Sequence, residues 1–85
     1  DENELLSELN ERVKFSNKNF SILMHGWQSD RGRIYIIYGE PQMVDESYQD
    51  NRGYNYQKWV YSNGKEFLFI DSTMSGDYTL HHERF

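Results

Sequence analysis

Apolar residues recur first at helical spacing and then in alternation. In "DENELLSELNERVKF", Leu5, Leu6, Leu9 and Val13 form one stripe with charges around it, the signature of an amphipathic helix over about residues 3–15. Asp1, Glu2 and Glu4 stand near its positive dipole end, and Arg12 and Lys14 near its negative end. "SNKN" stops it, because Ser and Asn side chains compete for backbone hydrogen bonds. Phe20, Ile22 and Leu23 then read as an apolar patch tucked under a sheet. Beyond them the period falls to two. "RIYIIY", "YQKWVY", "EFLFID" and "DYTLHH" read as strands near 33–38, 56–61, 66–71 and 77–82, with 42–55 as a long exposed loop.

The expected fold class is α+β: an N-terminal amphipathic helix packed on a four-stranded, mainly antiparallel β-meander, in a single domain over 1–85. The helix is expected to bury Leu5, Leu6, Leu9 and Val13 against Trp59, Leu68 and Ile70. Asn63-Gly64 predicts a two-residue type I′ hairpin, since that turn needs positive φ at both central residues. This register sets Val60 opposite Phe67 and Trp59 opposite Leu68. One face then carries Trp59, Tyr61, Leu68 and Ile70, and the other Tyr56, Val60, Phe67 and Phe69. A single helix covers one face of such a sheet. The row Tyr56, Val60, Phe67 and Phe69 is therefore the expected interaction surface, toward the rest of a parent protein, another protein or a second copy.

Composition narrows the chemistry. Seven Tyr, five Phe and two Trp in 85 residues suit a small sheet. The net charge is −5, and the nine basic residues are scattered among fourteen acids. That balance disfavours a phosphate backbone as partner. "RGRIYIIY" matches the RNA-contacting strand of an RNA recognition motif at Arg31, Gly32, Tyr35, Ile36 and Tyr38, but not at Arg33 and Ile34. Such a motif needs a strand and a helix before this one, and the residues upstream begin with a helix. No nucleic-acid partner is expected. Without cysteine there is no disulfide or thiolate site, and no apolar run is long enough to span a membrane. Beginning at Asp1, the chain reads as a piece of a larger protein.

Candidate catalytic groups have simpler readings. Asp30, Asp71 and Asp77 suit turns and strand ends, with Asp71 or Asp77 paired to Arg31 or Arg33, better than acid–base work. His81 and His82 are adjacent in a strand, which points them to opposite faces and away from one metal ion. "HGWQS" lacks the glycine after Ser that a nucleophile elbow requires, and "YGEPQ" has too few glycines for a phosphate loop. No catalytic residue, metal or cofactor is assigned. Trp59 reads as core, and Trp27 as closing one end of it.

The stretch "GWQSDRGRIYIIYGEP" resembles the core of the GWxTD domain, through Gly26, Trp27, Asp30, Arg31, Gly32, Arg33, Tyr38, Gly39 and Pro41. The likeness extends upstream to Arg12, Val13, Asn17 and Phe20. Downstream it extends to Trp59 in "YQKWVY" and to Asp71, Gly76, Asp77 and Tyr78 in "FLFIDSTMSGDYTLHH". Ser29 stands where the family usually has Thr, Gln57 where an acid is common, and Met74 where a Gly is common. The resemblance implies a recurrent module of larger bacterial, mostly extracytoplasmic proteins (periplasmic, outer-membrane-associated or secreted), without a characterised biochemical role. It suggests a non-catalytic interaction or structural module. The alternative is a small carbohydrate-binding or hydrolytic domain using Trp27, Asp30 and Arg31.

Overall fold

The computed structural model of the chain describes residues 2–22 and 24–84. The chain forms two compact units, residues 1–39 and 40–85. The first is helical: α1 (Glu2–Asn19), a 3-10 turn (Gly26–Gln28) and α2 (Asp30–Tyr38). The second is a four-stranded antiparallel sheet in the order β1-β2-β3-β4, with β1 at Met43–Asp45, β2 at Asn55–Val60, β3 at Glu66–Asp71 and β4 at Thr79–Arg84. The α+β class stands, but its parts are distributed differently from the expectation.

The largest correction is α2. "RIYIIY" is helix, not the first strand. Ser29 caps it: its side chain accepts a hydrogen bond from the Gly32 amide, and Asp30 sits in the positive first turn. At the other end Gly39 turns the chain at φ 81°, and its amide bonds back to Tyr35 O at 2.7 Å. Caps at both ends and packing on α1 outweigh the strand preference of the β-branched residues. The Arg31–Tyr38 octamer therefore has no strand from which to present Tyr35 and Tyr38 as an RNA-stacking platform. The sheet's missing strand is β1, inside the segment expected to be loop.

α1 extends beyond its expected end to Asn19. α2 runs back along it: Gly26 meets α1 at Ser16, Tyr35 stacks on Phe15 with ring centroids 4.3 Å apart, and Arg12 reaches Ile36 O. Phe20 closes this small cluster edge-on to both Phe15 and Tyr35, and it is buried. At 18 residues α1 is about 27 Å long, twice the length of α2. Its first two turns project past Gly39. Leu5 and Leu6 are accordingly 57% and 58% exposed rather than buried, while Leu9 and Val13 are half-buried. Ile22 is also exposed, and Leu23 lies outside the described residues.

The hairpin between β2 and β3 closes through three loop residues, not two. Tyr61 N donates to Lys65 O at 2.9 Å and Gly64 N to Tyr61 O at 3.0 Å. Gly64 takes φ 89°, whereas Asn63 does not take a positive φ. This is the loop of a turn followed by a glycine bulge. The register moves by one residue: Trp59 faces Phe67, Gln57 faces Phe69, and Tyr56 faces Ile70. A one-residue slip exchanges faces. Gln57, Trp59, Phe67 and Phe69 share one face; Tyr56, Lys58, Val60, Leu68 and Ile70 share the other.

The expected surface row is thus split. Tyr56 and Val60 lie on one face, and Phe67 and Phe69 lie on the other, each 0% exposed. Neither phenylalanine is an accessible interaction residue. Trp59 packs on Phe69 with centroids 5.0 Å apart, and Tyr61 meets Phe67 edge-on. β4 carries a further irregularity. Leu68 pairs with His82 and Phe69 with Leu80, so His81 is an extra residue. The bulge puts His81 and His82 on one face, against the expectation of opposite faces, and His81 packs edge-on to Tyr56.

Truncating either buried phenylalanine leaves a cavity in a small core. Phe67→Ala and Phe69→Ala are each expected to lower stability by about 3–5 kcal/mol, read as a large drop in the urea midpoint. An unchanged midpoint would show that these rings are not core.

Candidate functional site

The residues that carry the motif meet where α1, the 3-10 turn and α2 converge. Two glycines make the meeting possible. A Cβ at Gly26 would fall far inside van der Waals distance of the Ser16 carbonyl, and one at Gly32 would collide with the Gly26 carbonyl. In both cases the obstacle is backbone, which cannot swing away as a side chain can.

Polar groups then lock the turn. Ser29 Oγ donates to Gly26 O at 2.7 Å and accepts from Gly32 N at 3.0 Å. Ser29 N donates to the same Gly26 carbonyl at 3.1 Å. Gly26 N donates to Ser21 Oγ at 2.8 Å, and Ser21 Oγ donates to Asn17 O at 2.6 Å. Trp27 N donates to Asn17 Oδ1 at 3.0 Å. Asn17 and Ser21 thus hold the turn from the α1 side. Serine in place of the family's threonine keeps the one atom this lock needs, the hydroxyl.

The other motif residues divide between burial and surface. Arg31 is buried, with its guanidinium 4.7 Å from the centroid of the Phe20 ring, a cation–π contact. Asp30 pairs with Arg33 one turn away at 2.5 Å. Trp27 is 46% exposed, so it does not close the core as expected. Arg12 secures the far end of α2: Nη1 donates to Ile36 O at 2.9 Å and Nη2 to Glu8 at 2.6 Å. Tyr38 and Pro41 are half-buried, and Gly39 is the helix stop.

The sheet unit holds the remaining motif residues. Asp71 is buried and accepts from Ser75 N at 3.2 Å and Gly76 N at 3.0 Å, which closes the loop before β4. Met74 lies in that loop at φ 56°, the left-handed region that favours glycine, which accounts physically for the family's usual Gly there. Asp77 and Tyr78 are half-buried and lead into β4. Buried Gln57 uses both ends of its amide: Nε2 donates to Glu46 at 3.0 Å, and Oε1 accepts from Trp59 Nε1 at 2.8 Å. An acid there could accept from Trp59 but would face Glu46 as a like charge. The amide thus fits the Gln57 departure from the family pattern.

One polar cluster was missed from sequence. Asp50 accepts from Arg52 N (2.9 Å), Tyr54 N (3.2 Å), the Arg52 guanidinium (2.7 Å) and the Tyr56 hydroxyl (3.0 Å). Desolvation pushes its pKa up, but the bonds from Arg52, Tyr54 and Tyr56 outweigh it and hold the carboxyl at about 2. Desolvation, with the bond to Asp50, raises the Tyr56 pKa. "YQDNRGYNY" does carry the signal, an Asp followed within four residues by Arg, Gly and Tyr, in the pattern of an Asx-closed turn.

Among the described residues no three His, Asp or Glu side chains stand together as a metal site. A groove of about 420 Å³ runs along α1, lined by Glu8, Glu11, Arg12, Lys14, Phe15, Lys18 and Tyr35. Its Arg12 and Lys14 pair with Glu8 and Glu11. No described helix is long and apolar enough to cross a membrane.

A helical hairpin locked by glycines and a capping hydroxyl, followed by a four-stranded meander with Asp-closed loops, defines an α+β module whose signature residues build its turns. The chain belongs to the GWxTD domain family, whose profile matches residues 2–84. No curated protein and no solved structure matches it.

Two predictions follow from this geometry. Ser29→Ala removes an N-cap and a second buried bond, and is expected to cost about 0.5–2 kcal/mol, whereas Ser29→Thr restores the family's residue and should stay near wild type in thermal melts. The second concerns acid. A depressed carboxyl stabilises the fold fully above its ordinary pKa of 3.8, and that contribution is lost as pH falls through about 2. Amide exchange at Arg52 and Tyr54 should therefore accelerate across that window, and Asp50→Asn should remove most of the acid-induced change.

Proposed function

We propose that this GWxTD domain is a non-catalytic interaction or structural module of an exported bacterial protein, with an apolar protein surface as its partner. The supporting observation is the uncovered stripe at the start of α1. Leu5 and Leu6 continue the same helical face as half-buried Leu9 and Val13, yet stand more than half exposed past the end of α2. Adjacent exposed leucines on a formed helix face suit recognition in a groove or against another helix. The motif's polar groups, by contrast, are engaged in turns: Ser29 with Gly26 and Gly32, Asp30 with Arg33, and Asp71 with Ser75 and Gly76.

The partner is the remainder of the parent protein or another protein, and a homodimer through the same stripe is the variant to check. An extracytoplasmic setting rests on the family resemblance. The alternative, a carbohydrate-binding or hydrolytic site built on Trp27, Asp30 and Arg31, has Trp27 exposed and Asp30 half-buried. Asp30 is tied to Arg33, and Arg31 is buried over Phe20.

The test is a Leu5→Glu/Leu6→Glu double variant. Exposed positions tolerate substitution within about 0.5 kcal/mol, so the isolated domain should melt as wild type. It should lose co-purification with the rest of its parent protein, and lose any self-association seen by light scattering. Unchanged association with a fully folded variant would refute the reading.

A further inference from the structure

The hairpin tip carries chemistry of its own. Asn63 is the only asparagine in the chain that is followed by glycine. Ser62, Asn63 and Gly64 are all exposed, and nothing lies within 4 Å of where a Gly64 side chain would stand. We propose that Asn63 is a site of spontaneous deamidation in the folded protein, converting to aspartyl and isoaspartyl forms.

The reaction needs only solvent. The Gly64 amide nitrogen loses its proton to base and attacks Asn63 Cγ. The Cγ–Nδ2 bond breaks, Nδ2 takes a proton from water, and ammonia leaves. The resulting five-membered imide is opened by water at either carbonyl. One opening restores a normal peptide bond with an aspartate; the other routes the main chain through the side-chain carbon. Nothing is oxidised or reduced. Glycine favours the attack because it has no Cβ to obstruct the nitrogen. Asn51 precedes Arg52, and Asn55 lies in β2 before Tyr56, so each is followed by a residue with a bulky side chain.

Two bonds restrain the tip. Gly64 N donates to Tyr61 O at 3.0 Å, and Asn63 Oδ1 accepts from Lys65 N at 3.1 Å. The first must break before the Gly64 nitrogen can attack. Exposed loop tips open at a free-energy cost near zero, far below global unfolding, so the fold slows the reaction without blocking it. The two products then differ. An aspartate keeps an oxygen for Lys65 N. An isoaspartyl residue lengthens the main chain inside the three-residue loop whose length sets Trp59 opposite Phe67.

The experiment incubates the whole chain in mildly alkaline buffer, folded and in urea, and follows the tryptic peptide Trp59–Lys65 by mass spectrometry. Isoaspartyl content is read by enzymatic methylation with an isoaspartyl methyltransferase. The folded chain should lose the amide in this peptide ahead of every other asparagine, at a rate within about an order of magnitude of the unfolded chain, since only local opening is required. Asn63→Ser should abolish methylation, and Asn63→Asp should fold and melt like the unmodified chain. Retention of the amide in the folded chain while the urea sample converts would overturn the proposal, as would faster loss at another asparagine.

Discussion

The helical unit depends on one close approach of backbone to backbone, where Gly26 lies against the Ser16 carbonyl. The chain leaves α1 at Asn19 and returns as α2 from Asp30. That reversal is tight enough for Gly32 to sit on the carbonyl of Gly26, so one glycine's backbone is the surface on which the next packs. The remaining features of the motif follow from it. A carbonyl so deeply enclosed needs donors, and Ser29 provides two, its amide and its hydroxyl. The same hydroxyl then starts α2 by capping Gly32 N. Arg12 finishes α2 from the opposite side, by binding Ile36 O.

The sheet unit solves a comparable problem with carboxylates. Its long connections would leave backbone amides without partners, and buried unpaired amides are costly. Asp50 gathers the amides of Arg52 and Tyr54, and Asp71 gathers those of Ser75 and Gly76. Each aspartate sits at the start of the loop it closes. Between them the length of the hairpin decides which aromatic rings form the core. Three loop residues set Trp59, Phe67 and Phe69 on one face; two would have divided them.

Much of this was legible from residues, and the failures have identifiable causes. The strands at 55–60 and 66–71 and the first helix were evident from periodicity alone. "RIYIIY" reads as a strand because β-branched and aromatic residues dominate it, and Asp30 before it and Gly39 after it suit the turns that flank a strand as well as the ends of a helix. A serine and an acid followed by a glycine nine residues after the acid bracket a short helix as well as they bracket a strand. The hairpin failed by one residue because Asn-Gly serves both a two-residue turn and a three-residue loop with glycine at its end. The exposure of Leu5 and Leu6 depends on the relative lengths of α1 and α2, so the error in α2 carried over to them. The family was recognisable from separated blocks of motif. The reason for its glycines was not, because a distance between two carbonyl-bearing turns leaves no periodic trace.

That the signature residues are turn-builders bears on where activity can reside. Ser29 has its proton committed to Gly26 and a lone pair committed to Gly32, both in a site that is 4% exposed. Using that hydroxyl as a nucleophile or general acid would require releasing both bonds, and with them the start of α2. Asp71 is constrained in the same way, since freeing its oxygens opens the loop before β4. Residues held this way specify a scaffold. The first turns of α1, by contrast, carry two leucines ordered on a helix and turned to solvent.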